Sequence, residues 1–230
     1  MNFPDLHPWD LTYSAAIALQ KDLATRVELR NRLRRPLSHV AGVDVSYRKH
    51  GDQFFAAVVV LSFPHLEPIE VADFSARVNF PYIPGLLSFR ELPVLLQAFR
   101  RLRTVPDLVL VDGQGIAHPR RFGLASHLGL WLDLPTIGCA KSRLTSMAQM
   151  PEEDKGATSP LTDKGELIGT LLRSRARVKP LYISPGHRLD IPTAARLTLD
   201  CTGRYRMPEP TRLAHLETNR LRREAEAARV

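Results

Sequence analysis

Two aspartates lie in hydrophobic runs that are typical of strands. Asp44 lies within AGVDVSY, and Asp112 closes the run LVLV just before GQG. Aspartate is disfavoured inside strands, and a buried carboxylate requires a partner or a metal ion. Asp112 would lie at the carboxyl end of its strand, where open α/β sheets place their ligand sites. A turn or a salt bridge explains either aspartate alone, whereas the two together favour a metal site.

Glu91 and Lys141 are candidates to complete such a site. Glu91 lies in the first turn of a predicted helix, where it could supply a third oxygen ligand or form a capping box with Ser88. Clustered carboxylates cannot all stay ionised without a cation, and their hard oxygens suit Mg²⁺ or Mn²⁺. Lys141 ends a predicted strand, where it is either solvated or holds a phosphate or the attacking water. Together these residues suggest metal-dependent cleavage of nucleic acid.

The histidines and the basic segments carry weaker signals. His118 follows VDGQGIA in a predicted loop beside Asp112, from which it could reach the site or a DNA backbone. His187 ends a predicted strand and would bridge two elements, and His215 lies on the last predicted helix, where exposure is expected. HPRR (118–121) and LRNRLRR (29–35) are either solvated faces or phosphate contacts.

The segment PYIPGLLSFRE (81–91) predicts a stiff loop. Pro81 and Pro84 fix φ at about −65° and disfavour helical backbone in the residues before them. The Tyr82 ring on this loop either packs against Phe80 or Phe89 or inserts into a partner.

Hydrophobic patterning predicts the elements that must position these residues, in the order β-β-β-α-β-α-β followed by two strands and two helices. The first three strands are joined by short connections and predict an antiparallel meander with an apolar second strand at its centre. We expect an α/β protein with a mixed central sheet flanked by helices, forming one domain over residues 1–230. The predicted helices are 11–29 (capped by Asp10), 88–102 (capped by Ser88), 122–133, 191–201 and 210–226; the predicted strands are 39–47, 54–63, 69–78, 107–113, 135–141, 166–173 and 179–187; residues 147–160 are expected to form a polar loop.

Composition narrows the function classes. The chain has 230 residues and a formal net charge of +8, which favours a polyanionic partner such as nucleic acid. Its two cysteines form no CxxC pair, which argues against zinc and a disulfide framework, and Cys139 reads as a core residue. Neither a secretory signal nor an apolar run of about 20 residues is evident. We therefore expect a soluble, cytoplasmic, monomeric protein without membrane association.

Six motifs, in order, resemble those of the endonuclease V family, the deoxyinosine 3′-endonucleases. They are VAGVDVSY, PYIPGLLSFRE, LVLVDGQGIAHPRRFGLASHLG, PTIGCAKSRL, KPLYISPGHRLD and RMPEPTRLAH. The resemblance implies a ribonuclease H-like fold. It also implies hydrolysis of the second phosphodiester bond 3′ to deoxyinosine, leaving a 3′-hydroxyl and a 5′-phosphate, with Mg²⁺ as cofactor and Mn²⁺ as a substitute.

The resemblance also assigns site residues. It implies metal-binding roles for Asp44 and Asp112, Glu91 as the third acidic residue and Lys141 as the catalytic lysine. His215 stands where some relatives carry aspartate and is a further candidate metal ligand. Gln114 replaces the histidine more usual in VDGHG, and we expect only a local change there.

The resemblance also implies roles for the proline-containing loop and for a base pocket beside it. PYIP resembles the family's wedge into duplex DNA, beside which the deaminated base rotates into a pocket. The implied wedge and DNA-binding residues are Pro81, Tyr82, Ile83, Pro84 and His118, and the implied pocket residues are Gly85, Leu87, Gly113 and Gly138.

The expected partner is DNA containing deoxyinosine or other deaminated or mismatched bases. An endoribonuclease acting on inosine-containing RNA is the nearest alternative. A junction-resolving nuclease or an integrase of the same fold is another, because fold does not fix function. A damage-binding module without catalysis is the alternative of a different class, and it would not need the acidic cluster.

Overall fold

The computed structural model describes residues 1–33, 36–48, 51–145 and 147–228. Its strands and helices, in chain order within each class, have the following bounds. The strands are β1 (His39–Tyr47), β2 (Gln53–Ser62), β3 (Pro68–Arg77), β4 (Leu108–Val111), β5 (Thr136–Ala140), β6 (Thr158–Asp163), β7 (Glu166–Leu172) and β8 (Leu181–His187). The helices are α1 (Tyr13–Ala24), α2 (Leu87–Arg101), α3 (Leu124–Leu132), α4 (Ile191–Asp200) and α5 (Glu209–Ala227).

All eight strands form one mixed sheet in the order β3-β2-β1-β4-β5-β8-β7-β6. The first three strands form the predicted antiparallel meander, and β2 lies between β1 and β3. β4 runs parallel to β1, and β5 runs parallel to β4. The remaining pairings, β5 with β8, β8 with β7 and β7 with β6, are antiparallel. The predicted β-β-β-α-β-α-β core and the mixed sheet are therefore confirmed.

Helices cover both faces of the sheet, and each face has its own hydrophobic core. Side chains alternate along a strand, so Val109 and Val111 of β4 join the core under α2 and α3. Leu108 and Leu110 join the opposite core, which includes residues of α4 and α5 and also contains Cys139, as predicted. Within the described ranges, no helix is both long enough and apolar enough to cross a membrane.

The N-caps predicted for the first two helices, Asp10 and Ser88, are wrong. The first helix covers only Tyr13–Ala24, and its N-cap is Thr12 rather than Asp10, because the Thr12 hydroxyl accepts a hydrogen bond from the Ala15 amide at 3.3 Å. Ser88 lies inside α2 instead of capping it. Its hydroxyl is 2.9 Å from Nδ1 of His127 on α3, so tertiary contact has replaced the local capping box.

The predicted polar loop 147–160 is also partly wrong. Met147 forms a backbone bridge with Thr162, and β6 begins at Thr158. This strand is polar and lies at the edge of the sheet, so its sequence lacks the apolar run that marks the central strands. Arg34 and Arg35 of the basic segment 29–35, and Lys49 and His50 of the turn after β1, lie outside the described residues.

Candidate active site

The parallel pairing of β1 and β4 brings Asp44 and Asp112 to adjacent positions. Val43 pairs with Val111 in the last registered pair, so each aspartate is the next residue on its own strand. β4 ends there, whereas β1 continues along β2. Strand pairing therefore places two carboxylates together where β4 gives way to a loop, as predicted from the sequence.

Glu91 reaches the same place from α2. Its side chain is only 8% exposed, and it lines a cavity of about 170 Å³ together with Asp44 and Asp112. Burial, followed by repulsion from the neighbouring Asp44 and Asp112 carboxylates, raises the pKa of Glu91 to about 8. At neutral pH this carboxyl group is therefore mostly protonated unless a cation offsets the two aspartates.

Helix α5 supplies hydrogen bonds to Asp44. Thr218 Oγ1 donates to Asp44 Oδ2 at 2.6 Å, and His215 Nδ1 lies 3.1 Å from the same oxygen. Burial raises the pKa of Asp44, the Thr218 hydrogen bond lowers it, and Asp112 raises it again. Thr218 was not among the residues predicted from the sequence. Its position three residues after His215, on the same helix face, was the available signal.

Lys141 forms an ion pair with Asp112. It follows β5, which runs parallel to β4, and its ammonium group contacts Asp112 Oδ2 directly. The Asp112 side chain is mostly buried, whereas that of Lys141 is 47% exposed. The lysine therefore presents a positive charge between Asp112 and solvent.

Oxygen donors dominate this carboxylate cluster, but the side chains do not converge on one point. Across the described parts of the chain, no group of three or more histidine, cysteine, aspartate or glutamate side chains is arranged so that it could hold a metal ion. Thr218 and Lys141 instead bond to the two aspartates. The chemistry of the donor set nevertheless suits a hard divalent cation, which would offset the burial and the carboxylate repulsion that together raise the pKa of Glu91.

A second cavity, of about 310 Å³, adjoins the carboxylates. Asp112 and Lys141 line it, and so does the loop segment Tyr82–Pro84. Asp112 lines both cavities, so a ligand in the larger one would lie next to the carboxylate cluster.

Three of the four predicted pocket residues, Gly85, Leu87 and Gly113, line this larger cavity. Gly138 is not among its lining residues. A Cβ atom added at Gly138 would lie 2.3 Å from the backbone nitrogen of Gly115, so the glycine allows β5 to pack closely against the loop after β4. Gly138 therefore packs against the backbone of the loop that contributes Gly113 and Gln114 to the cavity lining.

The loop before α2 exposes its aromatic residue. Tyr82 is 64% exposed, whereas Phe80 stacks on Phe89 with ring centroids 6.0 Å apart. Ile83 packs against the small buried cluster that contains Phe89. Packing of Tyr82 against Phe80 or Phe89, the alternative considered from the sequence, is not observed. Pro81 is exposed and is not part of the cavity lining.

His118 is buried, and protein groups use both of its ring nitrogens. Nδ1 accepts from the Arg120 amide at 3.1 Å, so Nε2 carries the proton and donates to the Gly85 carbonyl at 3.1 Å. Burial, followed by the charge of Arg120, lowers the pKa of His118 to about 4. A contact of His118 with a DNA backbone stays a prediction, because both ring nitrogens bond to protein groups in this structure.

The remaining polar residues serve local contacts. His187 accepts from the Glu28 amide at 3.2 Å and lies 3.7 Å from Asp133, so it bridges elements as expected. Gln114 Nε2 donates to the Ser142 carbonyl at 2.9 Å and ties the loop after β4 to the loop after β5.

The sequence and the fold of this chain are similar to those of known proteins. The endonuclease V family model matches residues 21–216. Endonuclease V of Nostoc punctiforme is 50% identical over 214 residues, which cover 93% of this chain and 97% of that protein. The crystal structure of Streptomyces avermitilis endonuclease V is 43% identical, with a TM-score of 0.90 and coverage of 95% and 96% of the two chains.

A third relative was solved with nucleic acid. A Ciona intestinalis endonuclease V variant, in complex with a 23mer DNA containing an inosine followed by a ribo-adenosine, is 25% identical with a TM-score of 0.82. The alignment covers 94% of this chain and all of that one. These likenesses confirm the ribonuclease H-like fold, and they indicate a nuclease. The chain belongs to the endonuclease V family.

Proposed function

We propose that this protein is a metal-dependent DNA repair endonuclease that recognises deoxyinosine. It hydrolyses the second phosphodiester bond 3′ to the lesion and leaves a 3′-hydroxyl and a 5′-phosphate. The observation that carries the proposal is that Asp112 belongs both to the carboxylate cluster and to the cavity beside the exposed Tyr82. Family membership and the inosine-containing DNA bound by the Ciona relative support the choice of substrate.

Asp44 and Asp112 would hold Mg²⁺, or Mn²⁺ in its place, with Glu91 and His215 as further ligands. Hard oxygen donors at this density favour such ions over zinc. When bound, the ion lowers the pKa of water and neutralises charge on a phosphodiester. The α5 hydrogen bonds to Asp44 would keep that carboxylate ionised and oriented for the ion.

Lys141 would act on the phosphate rather than on the base. Lys141 borders both Asp112 and the larger cavity. A phosphate that enters the cavity could therefore take the place of the Asp112 carboxylate as the anionic partner of the ammonium group. A fixed positive charge contributes most where negative charge increases during reaction. Lys141 would therefore stabilise the transition state.

The loop containing Tyr82 would act as a wedge into the duplex. Pro81 and Pro84 stiffen the loop, Ile83 anchors it in a buried cluster, and Tyr82 projects into solvent. An inserted apolar side chain can fill the gap left by an extruded base. The backbone of Gly85 and Gly113, exposed to the larger cavity, would then approach the extruded base closely.

One assay tests the proposal and its closest alternative. Purified protein and Mg²⁺ are incubated with end-labelled duplexes that carry one deoxyinosine, one ribo-inosine or no lesion, and the cut is mapped at single-nucleotide resolution. Cleavage of the deoxyinosine strand at the second bond on its 3′ side supports the proposal. Cleavage confined to ribo-inosine would assign an RNA substrate, and cleavage of the undamaged duplex at an equal rate would contradict lesion recognition.

A further inference from the structure

Three side-chain donors converge on the carbonyl oxygen of Gly85. Arg120 Nη2 lies 2.8 Å from it, Gln20 Nε2 lies 3.0 Å from it and His118 Nε2 lies 3.1 Å from it. A carbonyl oxygen offers two lone pairs, so three donors are more than an ordinary backbone group receives. They come from α1 and from the loop between β4 and α3, neither of which is adjacent to Gly85 in sequence.

Gln20 organises this cluster from α1. It is only 1% exposed, and its Nε2 also donates to the Phe122 carbonyl at 2.7 Å, while its Oε1 accepts from Arg120 Nε. Two carbonyl acceptors on one side and a guanidinium donor on the other fix the orientation of the amide. Gln20 lies just outside the segment 21–216 that the family model matches.

Gly85 is the point where the wedge loop joins α2. Its φ is +81°, in the left-handed region that favours glycine, and an added Cβ would lie 2.6 Å from Arg120 Nη2. The three donors therefore bind the loop at a backbone position where residues other than glycine would be strained. The exposed Tyr82 lies only three residues upstream, across Pro84.

We infer that Gln20 is a positioning residue for duplex recognition, because with Arg120 and His118 it anchors the Gly85 carbonyl and thereby holds Tyr82 at the mouth of the larger cavity. This inference rests on the proposed function. A wedge that is already rigid loses little conformational entropy when it enters the base stack, whereas a flexible wedge loses more. Loss of the anchor should therefore weaken the step that opens a duplex and leave the chemistry on an open strand unchanged.

The test uses isosteric substitutions at Gln20. Gln20→Glu keeps the acceptor for Arg120 but replaces the two N–H donors with an oxygen that faces the Gly85 and Phe122 carbonyls. Gln20→Met has a similar length and no hydrogen-bonding group. Lys21→Gln, at the exposed neighbouring position on α1, is the matched control.

Single-turnover cleavage is measured with deoxyinosine in a duplex and in a single strand over a range of enzyme concentrations, alongside the melting temperature. We expect both Gln20 variants to need about fivefold or more higher enzyme concentration for half-maximal rate on the duplex, in line with the loss of one or more buried hydrogen bonds. The concentration needed on the single strand and the maximal rate on both substrates should stay within about twofold of those of wild type and Lys21→Gln.

The outcomes separate this inference from the proposed function. Wild-type protein that cleaves neither deoxyinosine substrate would contradict the proposed function. The inference alone would be overturned if wild-type protein cleaves both substrates and the Gln20 variants either cleave them as efficiently as wild type or lose the same factor in efficiency on both. If the Gln20 variants fold poorly, Arg120→Lys decides, since it keeps the charge but cannot bridge Gln20 and Gly85 with a planar fork. The same duplex-selective loss is expected for that variant, and an equal loss on both substrates would overturn the inference.

Discussion

Thr218 Oγ1 lies 2.6 Å from Asp44 Oδ2 and donates a hydrogen bond to it, although 174 positions separate the two residues in sequence. Thr218 is fully buried, and this bond lowers the pKa of Asp44 against the burial that raises it. Helix α5 therefore helps to keep a buried carboxylate ionised, which a metal ligand requires.

Thr218→Val removes the donor at nearly constant volume. Activity at neutral pH should fall by about 10-fold to 100-fold, as for other residues that orient a ligating carboxylate, and higher Mg²⁺ or higher pH should recover part of it. Thr218→Ser keeps the hydroxyl and should retain most activity. The measurement is the cleavage rate against Mg²⁺ concentration, and equal curves for Thr218→Val and wild type would contradict this role.

Asp44→Asn and Asp112→Asn should each reduce cleavage to background while deoxyinosine DNA is still bound, because the substitution removes a metal-binding charge and leaves the basic surface unchanged. Mg²⁺ should raise the melting temperature of wild type and not of either variant, since only a ligand that binds the folded state stabilises it. Gel-shift binding and thermal melting check both points. Near wild-type cleavage by either variant in Mg²⁺ would disprove the metal assignment.

Lys141→Ala should slow the chemical step by about 100-fold or more, comparable with the loss of one transition-state donor. Its affinity for DNA should change little, because one of many positive charges is lost. Single-turnover rates at saturating enzyme isolate the step, with binding measured separately. Weaker binding at an unchanged rate would instead assign Lys141 to anchoring of the phosphate backbone.

Tyr82→Ala should weaken recognition of deoxyinosine in a duplex more than in a single strand, where less stacking must be broken. The melting temperature should hardly change, because Tyr82 is exposed and its ring packs against neither Phe80 nor Phe89. Rates on both substrates and a melting curve test this expectation. Equal losses on the two substrates, or a marked drop in melting temperature, would favour a packing role.

A pair of histidines, the half-buried His7 and the buried His127, joins the N-terminal segment to α3 and α2. His7 Nδ1 donates to the Pro8 carbonyl at 2.8 Å, so its Nε2 is an acceptor for Trp131 Nε1 at 3.2 Å and for His127 Nε2 at 2.7 Å. His127 Nδ1 then accepts from Ser88 Oγ. The accepting nitrogens, His7 Nε2 and His127 Nδ1, keep these bonds only while their imidazoles are neutral, because a protonated imidazole has no acceptor.

Stability should therefore fall in mild acid. Burial lowers the pKa of His7 and lowers that of His127 well below 6.5, so the unfolded chain takes up protons first. The contribution is complete above about pH 6.5, the unfolded value, and is lost as pH falls toward the lowered pKa values. Urea unfolding between pH 5 and pH 8 measures it. His127→Leu should flatten the dependence, and an equal slope in this variant would contradict the assignment.

The local sequence was sufficient to predict most of the fold and part of the site. The hydrophobic runs around Asp44 and Asp112 identify buried strands, because a strand covered on both faces must be apolar throughout. Short connections between the first three strands then predict an antiparallel meander. A charged residue that ends or interrupts a hydrophobic run is easily recognised in the sequence. The proline-rich loop that carries Tyr82 could be recognised in the same way, since proline restricts its own backbone and the residue before it.

Only the tertiary structure decided what surrounds these residues. Thr218 reaches Asp44, Gln20 and Arg120 reach Gly85, and Ser88 turns to His127 instead of capping its helix. Each of these contacts joins elements far apart in sequence, so each depends on how a helix crosses the sheet and on which face it presents. Local propensity carries no information about that choice, because it follows from packing two cores simultaneously against one sheet.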